Sequence, residues 1–151
     1  MKYWFLVFMA VGLNSFGQTE FVAKVRTIAE EHSDIKTMVV VYNARNNRSP
    51  QIQSSVGDIQ ILEVGIKSVS DVSRSIVNNT LKKNEVQALL LLDDEGKLVT
   101  NKRTISYLMK QAPKYRILVF SDSREERDAK VHGRVVREGE KWRMEQEQAP
   151  E

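Results

Sequence analysis

The sequence predicts an α/β domain, Rossmann-like and three-layered, with a mostly parallel central sheet of about four strands and a C-terminal β-hairpin. Three observations predict it. Strand-length apolar runs alternate with segments of helical periodicity as far as Phe120, the order expected of a parallel sheet with helices on both faces. The run Val86-Gln87-Ala88-Leu89-Leu90-Leu91-Leu92 is continuously apolar, which suits a strand covered on both faces. After Phe120 the pattern turns to strict alternation around Glu138-Gly139-Glu140, the signature of a hairpin.

Taken in order, the first residues have the three parts of a secretory signal peptide. Lys2 is positive, Tyr3 to Leu13 is uncharged and mostly apolar, and Ser15 and Gly17 are small residues where a signal peptidase reads. The expected signal peptide is 1–17, cut before about Gln18, because the apolar run is shorter than the roughly 20 residues that span a bilayer. A soluble periplasmic or secreted protein is the expected product. A single domain then covers 18–146, with a polar tail over 147–151.

Phe21, Val22, Val25, Ile28 and Ala29 recur at helical spacing and predict a helix over about Glu20 to His32. Thr37 to Tyr42 is a β-branched run of strand length. Asn43 to Ser55 is polar, contains Pro50, and reads as a long loop, which in compact domains is usually functional or mobile. Ile59 to Ile66 makes a second strand. Ser68 or Ser70 caps a helix carrying Val69, Val72, Ile76, Val77 and Leu81. After the apolar run, Thr100 or Asn101 caps a helix with Ile105, Leu108, Met109 and Ala112, closed by Pro113. Arg116 to Phe120 is the next strand. Ser123 and Glu126 suit a capping box for one short turn. In the hairpin, Val131, Gly133 and Val135 face the same way as Trp142 and Met144.

Composition narrows the function classes. The chain has 23 basic and 20 acidic residues, interspersed, for a formal charge of +3, which is no nucleic-acid footprint. It has no Cys, so packing alone must hold an exported domain together. His32 and His132 are the only histidines, one at a helix end and one on the hairpin, and make no zinc site. No G-x-G-x-x-G, Walker or G-x-S-x-G motif occurs, so no cofactor and no metal is expected.

Ligands of open parallel sheets bind beyond the carboxyl ends of the strands. That rule gathers Tyr42, Asn43, Ser68, Ser70, Asp93, Asp94, Ser121 and Asp122 along one edge as candidates for binding a ligand or partner. The same residues also suit turns and caps, and Asp93-Asp94-Glu95 followed by Gly96 reads as an acidic turn. Arg45 and Arg48 in the long loop either grip an anionic partner or are simply solvated. The other hairpin face, with His132, Arg134, Lys141, Arg143 and Glu145, is mostly basic and reads as an edge guarded by charge.

The segments "ILEVGIKSVSDVSRSI" and "VQALLLLDDEGKLVTNKRTISYLMKQAPKYRILVFSDS" resemble one lobe of the periplasmic substrate-binding proteins of ABC transporters, of the tryptophan/tyrosine-binding type. The resemblance implies one half of a two-lobed ligand clamp, the other wall coming from a second protomer or another protein. The end of the chain, "AKVHGRVVREGEKWRMEQE", is similar to the YfiR-like periplasmic regulators, which bind a membrane signalling protein and usually carry cysteines. The expected function is therefore an exported, non-catalytic binding or regulatory module. Its partner is a protein or a small polar ligand, or a second copy in a homodimer. A YfiR-like regulator is the alternative. A small exported enzyme using Asp93 or Asp94 with Ser121 is the second.

Overall fold

The valines of β1 (Thr37–Asn43) have no exposed face: Val39, Val40 and Val41 are all fully buried. β1 therefore lies inside the sheet, between β3 (Ile59–Ile66) and β4 (Ala88–Leu91), and pairs parallel with both. The computed structural model describes residues 16–45, 51–123 and 130–146. Most of the expected signal peptide, Arg48 and Pro50 of the long loop, the capping box at Glu126 and the polar tail lie outside the described residues.

The sheet has seven strands, not about four, in the order β2-β3-β1-β4-β5-β6-β7. β5 is Leu118–Ser121, β6 Gly133–Glu138 and β7 Lys141–Gln146. Two additions account for the difference. The end of the long loop folds back as a two-residue strand, β2 (Ser55–Val56), antiparallel to β3 around Gly57 at φ +57. The hairpin does not stand apart: β6 joins β5 in parallel and β7 returns antiparallel beside β6. Counting only the mutually parallel strands, the order is 2-1-3-4-5, one of the two common arrangements of doubly wound sheets.

Strand residues alternate between two apolar clusters. Val39, Val41, Leu89, Leu91 and Val119 face Val72, Ile76, Leu81, Ile105 and Leu108 of the second and third helical segments. Met38, Val40, Ala88, Leu90 and Phe120 face Phe21, Val25 and Ile28 of α1 (Phe16–Glu31), with Trp142 and Met144 of the hairpin at the margin. Each fully buried Leu or Ile contributes about 1.5–3 kcal/mol relative to exposure, and no disulfide supplements that packing in this cysteine-free chain.

Three helical expectations need correction. α1 begins at Phe16 and ends at Glu31, one residue before His32. The segment after β3, here α2, is one α-turn (Val69–Asp71) continuing as a π-helix (Val72–Leu81). Its buried residues are Val72, Ile76, Val77, Thr80 and Leu81, and the predicted face member Val69 is 68% exposed. α3 (Lys102–Tyr115) runs through Pro113 rather than stopping at it. It ends where Arg116 turns left-handed (φ 55) and the N–H of Ile117 donates to the carbonyl of Ala112.

The contact between β5 and β6 requires a glycine. A Cβ at Gly133 would lie 3.0 Å from the Phe120 ring and 2.7 Å from Met144 Cε. The Met144 terminus can move, but Phe120 is fully buried against the sheet. Gly133→Ala is expected to destabilise the protein by about 1–3 kcal/mol, read from urea denaturation, as overpacked cores do. Gly139 differs in lying at φ +66 and in open space, so Gly139→Ala meets backbone strain but no clash and should cost less.

Candidate functional site

The carboxyl ends of β1, β4 and β5 meet at one edge, and two aspartates organise it. Asp94 follows β4 and is 6% exposed. Its Oδ2 accepts from the backbone N–H groups of Leu98 and Val99, both at 2.7 Å, and from Asn43 Nδ2 at 3.0 Å. Its Oδ1 accepts from the Thr100 N–H at 3.0 Å and the Thr100 hydroxyl at 2.8 Å. Burial pushes the Asp94 carboxyl up, but the bonds from Thr100, Val99 and Asn43 together hold it below its ordinary value.

The loop between β4 and α3 is shaped around this carboxylate. Glu95 and Gly96 are both left-handed, at φ 60 and 72, which turns the chain back over Asp94. The Gly96 N–H donates to the Thr100 hydroxyl at 3.0 Å. Of the two predicted caps, Asn101 serves: its Oδ1 accepts from the Arg103 N–H while its Nδ2 donates to the Gly96 carbonyl. Thr100 serves Asp94 instead. Asn43 closes the other side, its Oδ1 accepting from the Arg45 N–H while its amide donates to Asp94.

Asp122, just past β5, works on the opposite face. Its Oδ2 pairs with Lys24 Nζ of α1 at 2.7 Å, with side-chain exposures of 8% and 13%, and its Oδ1 accepts from the Asp93 N–H at 2.6 Å. The Lys24 ammonium also lies 4.9 Å from the centroid of the Trp142 ring and 3.4 Å from Glu20. Lys24 thus ties α1 to β5 and to the hairpin. Asp93 itself is exposed, and its Oδ1 accepts from the Glu95 N–H. Ser121 is fully buried, and its Oγ accepts from the Ser123 N–H at 3.1 Å.

The remaining candidates sit further along the edge. Tyr42 lies across Gly65, its register partner on β3, so closely that a Cβ there would be 2.8 Å from the phenol. Ser68 and Ser70 share a hydroxyl–hydroxyl bond at 2.9 Å. The Asp71 carboxylate accepts from the N–H groups of Lys67 and Ser68. The Lys67 N–H above all, aided by Ser68, holds the Asp71 carboxyl below its ordinary value. Arg45 donates from Nε to the Lys67 carbonyl, joining the start of the long loop to the end of β3.

The structure thus joins Asn43 to Asp94 and Asp93 to Asp122, while Ser121 makes its bond to Ser123 and not to either acid of the proposed enzyme pair. Sequence reasoning missed Thr100, Lys24 and Gly65. A hydroxyl six residues after an aspartate is a weak local signal, and Lys24 lies 98 residues from Asp122, beyond any local pattern. The basic hairpin face is partly neutralised, since Arg143 pairs with Glu138 and Glu145. Among the described residues no group of three or more His, Cys, Asp or Glu is placed to hold a metal, and no helix is long and apolar enough to cross a membrane.

Removing either anchor should be costly. Asp94→Ala orphans the N–H groups of Leu98, Val99 and Thr100 and is expected to cost about 3 kcal/mol or more in urea denaturation. Lys24→Met leaves Asp122 as a buried charge without its cation, a loss of about 3 kcal/mol that adding Asp122→Asn should partly restore.

No protein family's sequence pattern matches this chain, and no curated protein matches it. The fold is similar to the crystal structure of a conserved domain protein from Vibrio cholerae O1 biovar El Tor, with a TM-score of 0.58 at 16% identity. The match covers 77% of this chain and 39% of that one, so the chain spans well under half of that neighbour's length.

Proposed function

We propose that the protein is an exported, non-catalytic binding module with a Rossmann-like, three-layered fold, working at the carboxyl edge of its sheet. The observation that carries this reading is how the acids of that edge are used. Asp94 and Asp122 are both saturated by hydrogen bonds and an ion pair within the chain, which makes them supports and not proton carriers. What remains at the edge is a set of contact groups: the Tyr42 ring over Gly65, the paired hydroxyls of Ser68 and Ser70, and the exposed Asp93.

The resemblance to a lobe of the tryptophan/tyrosine-binding proteins fits this arrangement. A single lobe leaves the ligand open on one side, whereas tight small-ligand sites bury 70–90% of it. The missing wall comes from a second protomer or another protein. The core side chains of α1 that face the sheet, Phe21, Val25 and Ile28, all follow the expected cut before Gln18, so removing the signal peptide leaves that packing in place.

Binding of L-tryptophan and L-tyrosine, followed by calorimetry together with light scattering, tests the reading. The expected result is saturable binding that Tyr42→Ala weakens by roughly tenfold or more without unfolding the protein, accompanied by dimerisation if a second copy supplies the wall. A turnover activity abolished by Asp93→Asn or Ser121→Ala would overturn it in favour of the enzyme alternative.

A further inference from the structure

The strands of the sheet are not joined equally. β6 and β7 pair along their whole length, as do β1 and β3, but β6 meets β5 only through Phe120↔Gly133 and Ser121↔Arg134. Just before this short ladder, His132 extends it by an unusual route. Its backbone N–H donates to the Val119 carbonyl at 2.9 Å, and the Val119 N–H donates to the ring Nδ1, also at 2.9 Å. A side chain thus takes the place of a strand carbonyl. A backbone N–H can only donate, so Nδ1 must present its lone pair.

The second histidine lies at the same junction. The His32 ring centroid is 5.3 Å from that of Phe120, and Gln146 at the end of β7 contacts His32 Nε2 at 3.3 Å while donating to Glu31 at 2.7 Å. Both histidines of the chain therefore border the attachment of the hairpin.

We propose that the β6–β7 hairpin is a pH-gated element, latched to β5 by the neutral ring of His132 and released when that ring takes a proton. Protonation would turn Nδ1 from acceptor to donor and set it against the Val119 N–H, breaking the bond that lengthens the shortest parallel seam. Among the described residues the groups packed at this seam are mostly apolar. β5 contributes Leu118, Val119 and Phe120, and the side chains gathered around Val119 and Val131 from α3 are apolar, with Tyr107 and Tyr115 at their margin. From β6 and β7 the nearest charged pair in register is Arg134 with Glu145, and from α1 Glu31 and His32 reach Gln146.

Burial holds the His132 pKa below its ordinary value. The folded state therefore binds this proton less readily than the unfolded chain, so the latch is at full strength above about pH 6.5 and weakens as pH falls below it, being lost below the folded-state value. Opening would free Trp142 from Lys24 and expose the side of β5 that ends in the Ser121–Asp122 rim.

Nuclear magnetic resonance on the labelled full chain tests this. At pH 7.5 a through-hydrogen-bond coupling is expected between the Val119 nitrogen and His132 Nδ1. At a pH below the His132 midpoint, which its own ring signals locate, that coupling should vanish, and protection factors of the β6 and β7 amides should fall roughly tenfold or more while those of β1 and β4 hold. His132→Asn places an oxygen that cannot be protonated near the position of Nδ1, and should keep the hairpin protected at both pH values. The proposal is overturned if His132 titrates with hairpin protection unchanged, if β1 and β4 lose protection in the same proportion, or if the wild-type coupling is absent at pH 7.5.

Discussion

A carboxylate with almost no access to water must be surrounded by donors, and at Asp94 that requirement organises the upper end of the domain. An ionised group buried without partners would cost many kcal/mol, so the chain supplies donors from Asn43, Leu98, Val99 and Thr100. Those donors come from the end of β1 and from the loop leading into α3. Satisfying one side chain therefore fixes where β1 stops, how the loop turns, and where α3 begins. Asp122 plays the complementary part on the other face, where Lys24 brings α1 against the end of β5 and holds the Trp142 ring beside it.

This division of labour separates support from contact. Asn43 alternates with Val39 and Val41 on the face of α2 and α3, whereas Asp122 alternates with Phe120 on the face of α1. The sheet edge is thus braced from both sides. Tyr42 against Gly65 and the Ser68–Ser70 pair lie further along the edge, on the β3 side of these braces. An acid held ionised by five donors is poorly suited to exchanging protons with a substrate.

Much of the layering was legible because it is written in periodicity. Continuous apolarity at Leu89 to Leu91 marked a strand buried on both faces, and the alternation around Glu138 to Glu140 marked the hairpin. What escaped was decided by distant partners. Nothing near Gly133 says that its missing Cβ admits Phe120, so the insertion of the hairpin as two further strands was not visible. β2 is two residues long and lies within a polar stretch, without an apolar pattern of its own. The spacing of Val72, Ile76, Val77 and Leu81 suits an ordinary helix, so the π-helical bonding of that segment was not visible in it. At the site, the clustering of Asn43, Asp93, Asp94 and Asp122 followed from the strand-end rule alone. Their hydrogen bonding did not, because Thr100 and Lys24 carried no signal that distinguished them from an ordinary cap and an ordinary surface cation.

The most direct test of this account is the titration of Asp94 itself, followed by the chemical shift of its carboxyl carbon as pH is lowered from 7. If the carboxylate is the structural anchor described here, its midpoint lies below the ordinary aspartate value of about 3.9, and the amide signals of Leu98, Val99 and Thr100 shift with it. A midpoint at or above the ordinary value would contradict it, since it would mean an acid that takes up protons readily and whose donors are not in place.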